Sequence, residues 1–304
     1  MIYQHPLAYL LGLEGIALLH AYAGEYDREF TEARLAEIRA LLNTDLELGD
    51  GATAHRVSTL AGYRGWAPSY DSPGNQLIDI EQPIVREILA SLSVGNALDA
   101  ACGSGRHAAY LASLGHTVIG VDSSPDMLAR ARDKVSGGEF RQGDLEHLPV
   151  PDQHVDLVVC ALALTHVPDL APVLAEFVRV MRPGGHVVIS DSRGILEGLG
   201  MPMVNPGPDG RSAFMQNRPR RTSEYLKAAL PLGLQVRRCE EPGRPYPLVR
   251  PDGTPTADEG PLPDYNPKEP GDIWSLHRFA AEATNVAYRD KPVAIIWHFQ
   301  LCNG

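Results

Sequence analysis

The sequence predicts an α/β fold in which helices cover both faces of a doubly wound, mostly parallel sheet. The first observation is a regular alternation of short apolar segments and amphipathic segments from Ala97 to Ser190. The second is a glycine-containing turn, Gly103-Ser-Gly105, between the first apolar segment and the helix that follows it. Alternation at this spacing is typical of β-α-β units, whose strands pair in parallel.

Seven segments have the composition of strands, and helices are predicted between most of them. The predicted strands are Ala97–Ala101, Thr117–Asp122, Phe140–Gln142, Val155–Leu162, His186–Ser190, Leu234–Cys239 and Val293–Leu301. The predicted helices are Arg106–Leu114, Pro125–Val135, Leu170–Met181, Thr222–Leu230 and Trp274–Tyr288. Because crossovers between parallel strands are right-handed, few topologies are compatible with this order.

Two helices are predicted ahead of this alternation. Pro6 suits the first turn of a helix, and the apolar run that follows continues to Tyr22. No basic residue precedes the run, and Glu14 and His20 interrupt it, so we interpret it as a buried helix and not as an export signal. The second helix is predicted to be amphipathic, with an apolar face of Phe30, Leu35, Ile38, Leu41 and Leu42.

The segments outside the alternation suggest how the chain is divided. Gly62–Gln76 is rich in glycine, proline and aromatic residues and is predicted to be an ordered loop, whereas Glu81–Leu92 is predicted to be helical. Pro242–Pro270 is rich in proline and has no periodicity. We therefore expect a helical extension or lid at residues 1–62, the core at 63–241, an insertion that covers the substrate at 242–291, and the last strand of the core at 292–304.

The net charge and the cysteine spacing indicate which binding partners are not expected. The chain has 304 residues and a net charge of −11, so a general affinity for nucleic acid or for an anionic membrane is not expected. The apolar run at residues 7–22 is too short to span a bilayer. The four cysteines are far apart and fit neither a metal site nor a disulfide framework, which favours free thiols in the cytoplasm and no bound metal.

The turn at Gly103 and Gly105 has the G-x-G-x-x-A spacing of a dinucleotide-binding turn, but it follows a strand that carries Asp99. A carboxylate there would repel a pyrophosphate and would suit a positively charged group. Asp122 ends the second predicted strand, where an acid binds ribose hydroxyls. A ribose at one end, a cation at the other and no phosphate between them describe S-adenosylmethionine.

Four stretches then carry a family resemblance. They are "LDAACGSG", "VIGVDSSPDML", "FRQGDLEHLPVPDQHVDLVVCALALTHVPD" and "RVMRPGGHVVISD". In this order they resemble the successive motifs of class I S-adenosylmethionine-dependent methyltransferases, and more narrowly the bacterial small-molecule branch similar to methyltransferase type 11. The resemblance covers about Tyr63 to Asp191 and implies a Rossmann-like, seven-stranded sheet.

The resemblance also implies roles for individual residues. Asp99, Ala101, Gly103 and Gly105 would hold the methionine end of the cofactor. Asp122 would bind the ribose hydroxyls. The adenine would lie among Ser123, Met127, Asp144 and Leu145, and Ala161 would contact the cofactor chain. Tyr70 would close over the methionine carboxylate, with Trp66 and Tyr63 as weaker candidates for the same lid.

Catalytic candidates follow from the same comparison. His166 comes after the fourth predicted strand and Asp191 ends the fifth, the two places where related O-methyltransferases direct a His and an Asp at the acceptor. His277, in the late helix, is a third candidate. Arg218, Arg220 and Arg221 could clamp an anionic substrate, but a solvated loop before a helix is the interpretation we favour for them.

The sequence thus predicts methyl transfer from S-adenosylmethionine to a small, natural-product-like acceptor, by O- or N-methylation. Two alternatives stay open: a nicotinamide-dependent oxidoreductase, and a non-catalytic partner protein that has the methyltransferase fold. The apolar faces of the two N-terminal helices suit either an active-site cover or the interface of a homodimer.

Overall fold

The computed structural model of the chain describes residues 1–43, 48–66, 75–194, 198–202, 204–207, 209–250 and 273–302. The chain forms two compact units. Unit 1 comprises Met1–Val57, Met203–Met215 and Gly243–Lys291, and unit 2 comprises Ser58–Pro202, Gln216–Pro242 and Pro292–Gly304.

Unit 2 is built on a large mixed sheet. Its strands in the described part of the chain are β3 (Asn96–Ala100), β4 (Thr117–Asp122), β5 (Glu139–Gln142), β6 (Val155–Ala161), β7 (Met181–Ser192), β10 (Leu234–Glu240) and β11 (Ala294–Leu301). They lie in the order β10-β11-β7-β6-β3-β4-β5, and only the pairs that involve β11 are antiparallel. The predicted doubly wound, Rossmann-like α/β fold is therefore confirmed.

Six helices of this unit lie within the described part of the chain. They are α3 (Thr59–Trp66), α4 (Gln76–Ala90), α5 (Arg106–Ser113), α6 (Pro125–Lys134), α7 (Leu170–Val180) and α8 (Thr222–Ala229). Three of them, α5 to α7, connect parallel strands. Three of these helices, α4, α6 and α7, have polar N-cap residues. Asn75, Ser124 and Asp169 each accept a hydrogen bond from a backbone N–H of the first turn. Two clusters of buried apolar side chains, centred on Phe177 and Leu111, fill the layers around the sheet.

Two elements of unit 2 differ from the sequence prediction. Part of the expected loop Gly62–Gln76 is helical, because Ser58 Oγ accepts a hydrogen bond from Ala61 N at 3.2 Å and starts α3 ahead of the glycine. The strand expected at His186–Ser190 extends from Met181 to Ser192, and its register against β6 shifts between Met181 and His186.

Unit 1 combines a small sheet with helices from both parts of the chain. Among the described residues, β1 (Ile2–Gln4), β2 (Ala52–Arg56), β8 (Val204–Pro206) and β9 (Ser212–Phe214) form a sheet in the order β1-β2-β9-β8. The helices are α1 (Pro6–Tyr22), α2 (Arg28–Asn43), α9 (Ile273–Leu276) and α10 (Ala281–Tyr288). No described helix is long and apolar enough to cross a membrane.

The late helix predicted over Trp274–Tyr288 is interrupted. A 3-10 turn at His277–Ala280 separates α9 from α10. Ala280 has φ −147° and ψ 55°, outside the helical region, so the regular hydrogen-bond pattern restarts at Ala281. Sequence periodicity did not reveal this break, because His277 and Ala280 are both compatible with a helical pattern.

The burial of α2 also differs from its predicted amphipathic face. Leu41 is buried as expected, but Leu35 and Leu42 are 38% and 58% exposed. Arg34 is buried instead, and its guanidinium lies 3.2 Å from Glu14 of α1 and 2.5 Å from Glu37. Burial raises the pKa of Glu14 to about 7, the positive charge of Arg34 lowers it, and Glu37 raises it again.

We predict that Arg34→Met destabilises the protein by about 3 kcal/mol at pH 8, because the substitution leaves the Glu14 carboxylate buried without its cation. The matched control is Arg28→Met on the same helix. Arg28 and its partner Glu32 are exposed, so that change should cost less than about 1 kcal/mol. Denaturant unfolding of both variants measures the difference, and equal losses would contradict the prediction.

Candidate functional site

The turn between β3 and α5 depends on two glycines for different reasons. Gly105 has φ +83° and begins α5, and a Cβ on it would lie 3.1 Å from Cα and Cβ of Ala131 on α6. Gly103 has φ +52°, and a Cβ on it would meet no protein atom within 4 Å. Gly105 therefore permits close packing of α5 against α6, whereas Gly103 borders open space that a ligand can enter.

Asp122, at the end of β4, holds this turn in place. Its two carboxylate oxygens accept hydrogen bonds from Gly103 N and Ser124 N, each at 2.8 Å. Burial raises the pKa of Asp122, and the backbone N–H groups of residues 103, 123 and 124 act against that shift. The carboxylate fastens the glycine turn to the next strand, and each oxygen keeps a lone pair that can accept from a ligand hydroxyl.

A cavity of about 380 Å³ opens beside Gly103 and Asp122 in unit 2. Nine of the predicted site residues are among the described residues that line it: Ala101, Gly103, Asp122, Ser123, Met127, Asp144, Leu145, Ala161 and His166. They lie at the carboxyl ends of β3, β4, β5 and β6, the edge at which ligands bind in open parallel sheets.

Two of the four described non-glycine residues with a positive φ line the cavity. Ala101 and Leu162 line it and have φ of +57° and +56°, in the left-handed region that side chains with a Cβ rarely adopt. Each follows a strand of the sheet, β3 or β6. Strain of this kind persists where the surrounding structure imposes it, and it is commonly found at ligand sites.

Several lining residues were missed in the sequence. Tyr63 was only a weak candidate, and Thr59, Leu60, Glu146, His147, Val167 and Pro168 were not considered as site residues. Glu146 and His147 follow β5 by a few residues, so the rule about carboxyl ends of strands could have found them. Thr59 and Leu60 belong to α3 and precede the loop expected at Gly62–Gln76, and nothing in their local sequence indicated the cavity.

Charge in the cavity favours one kind of ligand. Among the described lining residues there are three carboxylates, Asp122, Asp144 and Glu146, and none is a lysine or an arginine. A diphosphate would meet only repulsion from these side chains, whereas a ligand with a positive centre would be attracted. Met127 and Leu145 would supply apolar contact for a base, and Asp122 would supply acceptors for a ribose. The residues therefore fit S-adenosylmethionine.

Asp99 and Gly105 are not among the cavity-lining residues. Asp99 is 2% exposed, and its carboxylate accepts a hydrogen bond from Ala108 N in the first turn of α5 at 2.8 Å. Burial raises its pKa to about 7, while the Ala108 N–H and the Arg106 charge lower it and Asp122 raises it. Asp99 thus stabilises the first turn of α5 through this hydrogen bond. Direct binding of the cofactor by Asp99 stays a prediction.

His166 lies in a 3-10 turn, Leu164–His166, that follows β6. Its Nε2 is 3.1 Å from the hydroxyl of Tyr63, and both residues line the cavity. Burial lowers the pKa of His166, the backbone of Gln216 acts against that shift, and the charge of Arg218 adds to it. The ring is therefore held neutral at physiological pH, as a proton acceptor must be.

Asp191, the second catalytic candidate, is not among the cavity-lining residues. Its side chain is 1% exposed and accepts a hydrogen bond from the Tyr225 hydroxyl at 2.8 Å. Burial raises its pKa to about 6, and hydrogen bonds from Tyr225 and from the backbone of Ser192 and Thr165 lower it. Because Thr165 precedes His166, the geometry places Asp191 beneath the turn that carries His166.

The arginines before α8 are also part of this support. Arg218 Nη1 donates to the carbonyl oxygen of His166 at 3.1 Å, and Arg220 Nη2 donates to that of Val167. The Arg220 side chain is only 9% exposed, so the solvated loop favoured by the sequence does not describe it. These cations bind the backbone of the turn.

The remaining two candidates are Tyr70 and His277. Tyr70 lies outside the described residues, and His277 is not among the described residues that line the cavity. His277 belongs to unit 1, where Tyr9 Oη lies 2.8 Å from its Nε2 and the rings of Trp274 and Tyr288 contact it. Burial lowers the pKa of His277 to about 3, and the charge of Arg244 lowers it further. A catalytic role for His277 stays a prediction.

Comparison with known proteins agrees with this geometry. A family model described as "Methyltransferase domain" matches residues 98–189, which run from β3 to β7. A malonyl-[acyl-carrier protein] O-methyltransferase of Yersinia pestis is 37% identical over 142 residues, which cover 46% of this chain and 52% of that protein. Methyltransferase GfsG of Streptomyces halstedii is 39% identical over 116 residues, covering 35% of this chain and 42% of that protein.

A solved structure supports the fold over a longer part of the chain. The complex of DhpI with SAH superposes with a TM-score of 0.52 at 23% identity, covering 81% of this chain and 96% of that one. The present chain spans about half of the length of the Yersinia pestis relative and less of the Streptomyces halstedii relative.

Fold, site and family model together define the class of protein. Residues 98–189, which belong to unit 2, match a methyltransferase domain. The resemblance to class I S-adenosylmethionine-dependent methyltransferases seen in the sequence is confirmed by this match and by the similar methyltransferases. S-adenosylmethionine is the cofactor of this family, and the cavity beside Gly103 and Asp122 has the residues to hold it.

We predict that Asp122→Asn weakens S-adenosylmethionine binding by about 10- to 100-fold. Hydrogen bonds to a charged group contribute about 1.5–3 kcal/mol, and the amide replaces one acceptor oxygen by a donor. Asp126→Asn, on the exposed side of α6, is the control that should bind normally. Titration calorimetry measures both dissociation constants, and a wild-type value for Asp122→Asn would show that the ribose lies elsewhere.

We also predict that His277 makes the protein less stable in acid. Its pKa is about 3 in the folded chain and about 6.5 in an unfolded one, so between these values the unfolded state binds an extra proton. Relative to His277→Gln, the free energy of unfolding of the wild type should fall by up to about 1.4 kcal/mol for each pH unit below 6.5.

The comparison with His277→Gln isolates this residue. The raised pKa values of Asp99 and Asp191 favour folding at low pH, but both groups are present in the two proteins and their effects cancel in the difference. Urea unfolding at pH values from 7.5 to about 4.5 provides the measurement. A difference that does not vary with pH would show that His277 titrates normally in the folded protein.

Proposed function

We propose that this protein transfers a methyl group from S-adenosylmethionine to the oxygen or nitrogen of a small-molecule acceptor. The observation that carries the proposal is that one cavity is lined both by the residues that fit the cofactor and by the His166–Tyr63 pair. A cofactor site alone would fit a binding protein as well. A neutral histidine beside it supplies the proton acceptor that a methyltransferase for a hydroxyl acceptor needs.

Bound S-adenosylmethionine supplies a methyl group that is already activated on a sulfonium. The work left for the protein is to align the acceptor with that methyl group and to exclude water. Asp122 binds and orients, the apolar side chains of Met127 and Leu145 exclude water from the base, and His166 accepts a proton. An uncharged amine acceptor would use the same alignment without the proton transfer.

A small acceptor is supported by several observations. The net charge of −11 and the carboxylates of the cavity disfavour nucleic acid. We propose a natural-product-like acceptor from the resemblance of the sequence motifs to the small-molecule branch of the family; the similar protein GfsG of a Streptomyces species is named only as a methyltransferase. The family model does not match the residues of unit 1, which we propose determine the choice of acceptor. We further propose that the protein is cytoplasmic and that the apolar residues of its N-terminal helices suit a homodimer.

Both alternative functions meet observations that oppose them. A nicotinamide-dependent oxidoreductase would need to place a pyrophosphate in a cavity whose described charged side chains, apart from histidine, are all acidic. A non-catalytic partner protein would have no use for a half-buried, neutral histidine at the cavity wall. The methyltransferase proposal accounts for both features.

The proposal predicts micromolar binding of S-adenosylmethionine and S-adenosylhomocysteine, and no competition by NAD⁺, in titration calorimetry. It also predicts release of S-adenosylhomocysteine when the cofactor is incubated with pooled small hydroxyl and amine compounds, and one product heavier by a methylene group. His166→Gln should lower turnover of a hydroxyl acceptor by about 10²–10⁴-fold.

His298→Gln is the matched control, since His298 pairs with His186 on the sheet and is not among the described residues of the cavity lining. It should keep wild-type turnover. Absence of cofactor binding by purified, ligand-free protein would refute the proposed function. The partner-protein alternative would be favoured if the wild type binds the cofactor but methylates none of the acceptors extracted from the source cell.

A further inference from the structure

Tyr63 and His166 form a pair that the cofactor motifs do not account for. Tyr63 comes from α3 and His166 from the turn after β6, 103 residues later in the chain. The hydroxyl lies 3.1 Å from Nε2, and the two rings meet edge to face, with centroids 5.6 Å apart and planes at 88°. Both side chains line the cavity, so the pair borders the space in which an acceptor would be methylated.

The backbone that carries His166 is held on three sides. Arg218 N donates to the carbonyl oxygen of Thr165 at 2.8 Å, and the Arg218 guanidinium donates to that of His166. Arg220 donates to the carbonyl oxygen of Val167, and Asp191 accepts from the backbone of Thr165. A turn held in this way keeps the imidazole in one place, so the contact with Tyr63 is a built feature and not a chance approach.

The chemistry of the two groups defines the direction of a proton transfer. A neutral imidazole has one N–H and one bare nitrogen, and a phenol can donate one hydrogen bond while accepting others. If Tyr63 donates to Nε2, the ring carries its proton on Nδ1, a buried nitrogen, and the backbone of Gln216 favours protonation of the ring. The Tyr63 oxygen then keeps lone pairs that can accept a proton from a substrate in the cavity.

We propose that Tyr63 is a second catalytic residue, which takes the proton of a hydroxyl acceptor while passing its own proton to Nε2 of His166. The proposal rests on the proposed function and names its substrate class: the acceptor is a neutral hydroxyl, an alcohol or a phenol. A carboxylate has no proton to give at neutral pH, and an amine reacts through its lone pair before it loses a proton, so neither needs the pair.

The step balances in atoms and charge. The acceptor oxygen forms a bond to the methyl carbon as the bond between that carbon and sulfur breaks, and the sulfur keeps the electron pair. The acceptor proton moves to Tyr63 Oη and the Tyr63 proton moves to His166 Nε2, so the phenol is regenerated. The positive charge that leaves the sulfonium is found afterwards on the imidazolium, which loses its proton to solvent after product release.

Other charged groups lie near the Tyr63–His166 pair and influence proton transfer between the two side chains. Asp122, Asp144, Glu146 and His147 line the same cavity, and the guanidinium groups of Arg218 and Arg220 bind the backbone of the turn. Their combined effect is present in the wild type and in variants of Tyr63 alike. Variants that remove only the Tyr63 hydroxyl therefore isolate its contribution.

The first test measures the tautomer of His166 without any acceptor. The protein labelled with ¹⁵N-histidine is saturated with S-adenosylhomocysteine, and the ring nitrogens are observed by NMR in wild type, Tyr63→Phe and the control Tyr110→Phe. The Tyr110 hydroxyl donates a hydrogen bond to the carbonyl oxygen of Arg86 in another part of unit 2, so its loss should not affect His166. The proposal expects an Nδ1–H tautomer favoured by about tenfold in the wild type and in the control, and loss of that preference in Tyr63→Phe.

The second test measures turnover with substituted phenols, matched benzoates and matched anilines as probes. Tyr63→Phe should lower kcat for phenols by about 10²-fold or more, with an unchanged dissociation constant for S-adenosylhomocysteine. Tyr63→Phe combined with His166→Gln should be no slower than His166→Gln alone, because the two groups act as one unit.

The outcomes separate this inference from the proposed function. An Nε2–H tautomer in the wild type, a tautomer ratio unchanged in Tyr63→Phe, or turnover of anilines or benzoates in preference to phenols would overturn the transfer through Tyr63. In each of these cases cofactor binding stays intact, and the proposed function stands. Loss of cofactor binding in the wild-type protein would instead refute the proposed function.

Discussion

The site depends on the pair of hydrogen bonds that Asp122 accepts from Gly103 N and Ser124 N. One carboxylate joins the end of β4 to the glycine turn after β3, and so sets the distance between the two strand ends that a ligand must bridge. Gly105 brings α5 close to α6 behind the turn, and Asp99 holds the start of α5 from the strand. A Cβ on Gly103 would meet no protein atom within 4 Å, so the space beside the turn is open to a ligand.

A second set of contacts positions the chemistry. Asp191 and Tyr225 are buried together, and with Arg218 and Arg220 they hold the turn that presents His166 to the cavity. Burial costs the charged form of a group free energy, so Asp191 is held by hydrogen bonds and His166 is kept neutral. Residues that look like similar catalytic candidates in the sequence therefore lie in different places: Asp191 is buried beneath the turn, whereas His166 and Tyr63 line the cavity.

Unit 1 follows another principle. Its helices come from opposite parts of the chain, and buried polar pairs such as Glu14–Arg34 and Tyr9–His277 lie among its apolar contacts. Such pairs stabilise less than apolar packing would, but they permit few alternative arrangements of the helices. The prediction that α2 would bury Leu35 and Leu42 was wrong because periodicity records only which residues share a face, and Arg34 was assigned to the polar one.

The sequence by itself determined the α/β alternation, the family and its cofactor, because these depend on local patterns and on motifs that recur in order. Only the tertiary structure decided the strand order, the burial of Asp99 and Asp191 outside the described lining of the cavity, the start of α3 before the glycine-rich stretch, and the contact between Tyr63 and His166. The physical reason is sequence distance. A contact between residues 103 positions apart is created by the packing of a helix against a strand end, and no local spacing of residue types records it.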